Sequence, residues 1–144
     1  MTPGQSAGDS EGMMRGLVLM ESLTDGRLPM PLPAVVVRRY PHLLGGTLPV
    51  QIAELAVTRH RVLAVAMQVA KVLLPKRFYA HFLDDERMYV VFPNCVTVVL
   101  RDDPVSADTA RAVGALFDIP AVQMRFEEMF VNDHPDSPRT EAAA

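Results

Sequence analysis

The chain has 144 residues, 49% hydrophobic and 22% charged, with a formal net charge of −3. That is the balance of one soluble globular domain large enough to bury a core, and the absence of a general basic field makes nucleic acid a poor partner. A single cysteine, Cys95, excludes an intrachain disulfide and a cysteine-rich zinc site.

The polar N-terminus has no secretory-signal pattern, and the longest uncharged apolar run is too short to span a bilayer, so a cytoplasmic protein with no membrane contact is expected. Only Lys71 and Lys76 are lysines; the arginine bias, with abundant Ala and Val, reads as a GC-rich coding background.

Residues 1–12 (MTPGQSAGDSEG) have nothing to bury and are expected to be disordered. Residues 16–23 (GLVLMESL) suit a short strand, and Thr24-Asp25-Gly26 a turn. Pro29, Pro31 and Pro33 then forbid helix and central strand, predicting an extended surface connection. Residues 34–40 (AVVVRRY) read as a second strand, followed by a loop, 41–46, that contains His42. Leu48, Val50 and Ile52 alternate as a strand does, and Thr58 then suits the N-cap of a helix. The rival reading makes 48–74 one long helix. In the preferred reading Val62, Leu63, Ala66, Met67, Val69, Ala70, Leu73 and Leu74 form the apolar stripe, and Pro75 ends it.

Residues 78–101 (FYAHFLDDERMYVVFPNCVTVVLR) show three aromatic and β-branched runs separated by Asp84-Asp85-Glu86 and Pro93-Asn94, the pattern of a three-strand meander. A second helix opens at Pro104 or Ser106, with Ala110, Val113, Leu116 and Phe117 as its stripe and Asp108 near its positive end. Ile119-Pro120 breaks it. Residues 121–130 fit either a strand or a helix, and the tail from 132 to 144 is expected to be flexible. Residues 13–131 therefore form a single α+β domain. The expected architecture is a two-layer sandwich, mostly antiparallel, with a central three-strand meander and two helices, ferredoxin-like in outline. Fold likeness of that kind licenses no function.

Hairpins centred on Asp85-Glu86 and Pro93-Asn94 place His81 opposite Val90, Tyr79 opposite Phe92, Val90 opposite Thr97 and Phe92 opposite Cys95. One face then collects Phe78, Ala80, Phe82, Tyr89, Val91, Val96, Val98 and Leu100, a hydrocarbon core. The other collects Tyr79, His81, Leu83, Met88, Val90, Phe92, Cys95, Thr97 and Val99, apolar with a few polar handles, as a pocket or partner interface is. Both faces need cover.

On the second face, His81 with Tyr79 and Thr97 is the candidate acid–base set, although a mid-strand histidine is more often structural. Cys95 lies one row from His81 and more commonly would be a small buried thiol than a nucleophile. Thr58, Arg59 and Arg61 at a helix start suggest an anion site, against the plainer reading of solvated charge. The acidic clusters 84–86, 102–103 and 127–128 lack metal-ligand spacing, and no metal or cofactor is implied.

The sequence therefore suggests a homodimeric binding or interaction module for a protein partner or a small apolar or anionic ligand. The alternative is a small isomerase, cyclase or lyase using His81.

Overall fold

A computed structural model of the protein describes residues 12–44, 46–75 and 78–132. Most of the expected N-terminal disorder (1–11) and nearly all of the expected flexible tail (133–144) lie outside the described residues. Six strands, β1 (Met13–Leu19), β2 (Val36–Leu44), β3 (Leu48–Thr58), β4 (Ala80–Leu83), β5 (Arg87–Phe92) and β6 (Cys95–Leu100), form one open sheet in the order β2-β3-β1-β4-β5-β6. Every neighbouring pair is antiparallel. Among the described residues the helices are α1 (Arg59–Val72), α2 (Pro104–Ala115) and α3 (Phe126–Asn132). None of them is long and apolar enough to cross a membrane.

The turns set the register. The Asp84 Oδ1 accepts the N–H groups of Glu86 and Arg87 at 2.8 and 2.9 Å, closing the β4–β5 hairpin. At the β5–β6 turn Asn94 takes φ 57°, a left-handed conformation that asparagine tolerates. His81 consequently pairs with Val90, Val90 with Thr97 and Phe92 with Cys95, as the hairpin positions predict. The meander is present, but its first strand begins at Ala80, leaving Phe78 and Tyr79 ahead of it.

The strand-then-helix reading of residues 48–74 holds: β3 runs to Thr58 and α1 starts at Arg59. Thr58 has the extended backbone of an N-cap, yet its hydroxyl makes no capping bond. Residues 41–44, expected in a loop, continue β2; Pro41 is tolerated because β2 lies at the sheet edge. Residues 121–130 are neither one strand nor one helix: a 3-10 turn (Ala121–Gln123) precedes α3.

Helices lie on both sides of the sheet. Val62, Val65, Ala66, Val69 and Ala70 of α1 pack with Met14, Val18, Leu55, Phe82, Tyr89 and Val91 on one side. Ala107 and Ala110 of α2, with Met124, Phe126 and Met129, cover Leu83, Met88, Val90, Phe92 and Val99 on the other. The β4–β6 half is thus helix, sheet, helix, where two layers were expected. The cause is that the C-terminal segment folds back over the face opposite α1. The ferredoxin-like outline finds no support in a six-stranded order with β1 between β3 and β4.

The apolar stripes shift accordingly. Leu63, Met67 and Leu74, expected in the stripe of α1, are exposed, because the buried arc centres on Val62, Ala66, Val69 and Leu73. Leu116 is exposed while Ala107, Ala110 and Gly114 face the core from α2. Val98 and Leu100, expected in the hydrocarbon core, are 40% and 41% exposed, because β6 is the last strand of the sheet.

Candidate functional site

The face carrying His81, Tyr79 and Thr97 is assembled by β4, β5 and β6 and roofed by the chain itself. His81 is 3% exposed, its ring 6.1 Å from that of Tyr79. The Tyr79 hydroxyl donates to the Gln123 carbonyl in the 3-10 turn and lies 3.5 Å from Met129 Sδ. The Tyr79 ring also meets Phe126 edge-on at 5.6 Å. Tyr79 therefore joins the meander to the roof, anchoring it by a hydrogen bond at one end and ring packing at the other. Thr97 Oγ1 is buried with no hydrogen-bond partner among the described residues. Leu83, Met88, Val90, Phe92 and Val99 are buried here, and Cys95 is a half-buried free thiol. The structure brings the sequence-nominated residues together, in a packed core.

The second nominated site is split. Arg59, at the start of α1, forms an ion pair with Asp84 in the β4–β5 turn. Thr58 Oγ1 is buried and unpartnered among the described residues, and Arg61 is exposed. Burial alone would raise the Asp84 pKa, but the two backbone N–H groups and the Arg59 guanidinium outweigh it and hold the carboxyl below its ordinary value. An open cleft of about 550 Å³ lies here, lined by Met13, Arg15, Leu83, Phe130 and the charged 84–86 turn. Arg59 is thus committed to a carboxylate. Among the described residues no three His, Cys, Asp or Glu side chains are placed to hold a metal.

A third surface escapes the sequence reading: the outer edge of β6. The Arg101 N–H donates inward to the Glu86 carbonyl, whereas the Leu100 N–H donates to Ser106 Oγ at 2.9 Å. Alternation then turns the main-chain groups of Val96 and Val98 away from β5. No strand pairs with them among the described residues. Natural sheets guard such an edge with charge, proline or a bulge. The opposite edge, β2, has all three: Arg38 and Arg39, Pro41, and a register shift between Val36 and Arg38. β6, reading CVTVVL, has none.

Beside this edge, α1 turns an apolar flank to solvent. Gln68, on one flank, reaches the Met30 carbonyl in the β1–β2 connection. Leu63 and Met67 project from the other, 50% and 42% exposed, on the side where the Ala70 carbonyl accepts the Asn94 N–H of the β5–β6 turn. Val98, 40% exposed, pairs with Tyr89 on the same side of the sheet as α1, so the three side chains make that side an apolar shelf toward the β6 edge. The signal available in the sequence was the charge-free run 95–100 set against Arg38-Arg39 and Pro41. What it lacked was the strand order. The chain matches no family model, no curated protein and no solved structure.

Proposed function

We propose that the protein is an interaction module that binds an extended polypeptide by strand addition along β6. The observation that carries this reading is the contrast between the two sheet edges, one defended threefold and the other bare. The surface sets the chemistry of the partner. Outward N–H and C=O groups at Val96 and Val98 call for main-chain pairing, and Leu63, Met67 and Val98 call for aliphatic side chains on one face. The uncharged run Cys95–Leu100 calls for a strand without charge. The enclosed position of His81 favours this reading over acid–base catalysis, and the Arg59–Asp84 pair favours it over anion binding.

Amide hydrogen exchange tests it. The Val96 and Val98 amides of the full chain should exchange slowly, in purified protein or in intact expressing cells, and a Val98→Lys variant should release them. Exchange at the rate of exposed amides in both settings would refute the reading.

A further inference from the structure

We infer that the partner strand is β6 of a second copy of this chain, paired antiparallel about a two-fold axis at Thr97. The inference rests on the reading of β6 as the working edge and names its partner. The free stretch of that edge is short and bounded at both ends. At the C-terminal end the Leu100 N–H is taken by Ser106 Oγ, which puts the start of α2 outboard of the strand. At the N-terminal end the chain turns through Asn94, whose N–H is held by the Ala70 carbonyl. Val96 and Val98 are left with outward main-chain groups, and the residue midway between them is Thr97.

An antiparallel pair of identical strands must be symmetric about one point. Centring it on Thr97 sets Val96 of each copy opposite Val98 of the other and matches every free donor to a free acceptor. Centring it on Val98 would set Val96 against Leu100, where Ser106 already occupies the N–H. The strand suits its own copy in charge as well. Residues Cys95–Leu100 carry none, so self-pairing opposes no like charges, whereas β2 would set Arg38 and Arg39 against two more arginines.

The two-fold axis stands perpendicular to the joined sheet, so both α1 helices lie on the same side of it. The Leu63–Met67 flanks of the two copies then face each other across the seam and cover Val98 from both. Side chains left open to water in one chain become the apolar lining of the pair, and six strands become a continuous sheet of twelve.

The experiment uses the full chain. Light scattering after size exclusion should give twice the chain mass of 15.9 kDa, and a Val98→Lys variant, folded by circular dichroism, should elute at the single-chain mass. Opposed Thr97 positions form a non-hydrogen-bonded pair with Cα atoms ~4.5 Å apart, within disulfide reach. Thr97→Cys in a Cys95→Ser background should therefore cross-link on mild oxidation, and Val98→Cys in that background should not. A dimer cross-linked through Val98→Cys and not through Thr97→Cys overturns the axis. A single-chain mass up to high concentration overturns the second copy as partner; slow Val96 and Val98 exchange in cells would then still uphold strand addition. A native dimer mass that survives Val98→Lys overturns the inference, because the copies would be joined elsewhere.

Discussion

Replacing Gly16 by alanine probes how tightly the sheet is seated on its core. Gly16 lies mid-strand in β1, opposite Leu55 of β3 and Phe82 of β4. A Cβ added there would stand 2.3 Å from both Cδ2 and Cε2 of Phe82 and 3.1 Å from its Cζ. Carbon atoms pack at about 3.5–4.0 Å, so the ring would have to retreat by more than ~1 Å. Phe82 is fully buried in the cluster under α1, and a core at crystal-like density has no room for that retreat. Overpacking of this kind costs about 1–3 kcal/mol. The entropy that alanine removes from the unfolded chain returns only about 0.4–1 kcal/mol. A net loss of about 1.3 kcal/mol lowers the melting temperature by roughly 3–5 °C for a chain of this size.

Urea unfolding of G16A, F82L and the double variant measures the loss and its origin. Shrinking the ring should relieve the clash, making the double variant more stable than the two single losses predict by ~1 kcal/mol, within the usual range for residues in contact. A G16A variant within about 0.5 kcal/mol of the native protein, or strict additivity in the cycle, would refute the account.

Asp84 ties stability to pH. Its folded pKa is depressed, so its contribution is complete above the ordinary carboxylate value of about 4 and is lost as pH falls through the lower folded value. Asp84→Asn keeps an oxygen for the Glu86 and Arg87 amides but drops the charge. Urea midpoints should therefore fall less steeply between mildly and strongly acidic pH in the variant than in the native chain; equal slopes would refute the assignment. Arg111 clasps the roof of the second face: its guanidinium meets Glu127 at 2.8 and 2.9 Å, Asp108 at 2.8 Å and the Met124 carbonyl at 3.1 Å. The bidentate pair holds Glu127 below its ordinary pKa. Lysine cannot reproduce that fork, so Arg111→Lys should cost about 1–2 kcal/mol by thermal or urea unfolding, a loss comparable to that of a charge-assisted hydrogen bond. Unchanged stability would show that the clasp contributes nothing.

Local chemistry was legible in the chain; spatial neighbours were not. Asp84 and Asn94 announce their turns because their side chains or backbone preferences close them without outside help, and the meander register follows from those two positions alone. Thr58 marks the α1 start by residue type and extended backbone alone, since its hydroxyl does not cap. The roof over His81 was not legible: that residues 121–130 cross back over β4–β6 depends on Tyr79 reaching the Gln123 carbonyl, a contact across 44 positions. Nor was the ion pair that commits Arg59 to Asp84, since the two lie 25 positions apart on different elements. Alternation along the strands does put Leu83, Met88, Val90, Phe92 and Val99 in one buried cluster. The pocket-like composition of that face did not reveal that the same chain supplies the cover.

Val98 is where pattern and position separate. By alternation it belongs with Phe82, Tyr89 and Val91 on the hydrocarbon face, and an aspartate there would be an unpaired charge in a core, costing several kcal/mol and unfolding the chain. The sheet order places it on the last strand at 40% exposure, where a carboxylate reaches water by a rotamer change. Val98→Asp should therefore keep its far-ultraviolet dichroism and a cooperative melt, losing no more than about 1 kcal/mol when measured in dilute solution, where each copy stands alone. An unfolded V98D chain would mean that the residue is enclosed within one copy. The bare edge, the apolar shelf and the strand-addition reading would all fall with it, because each depends on the Val96–Val98 stretch of β6 having no strand beside it among the described residues.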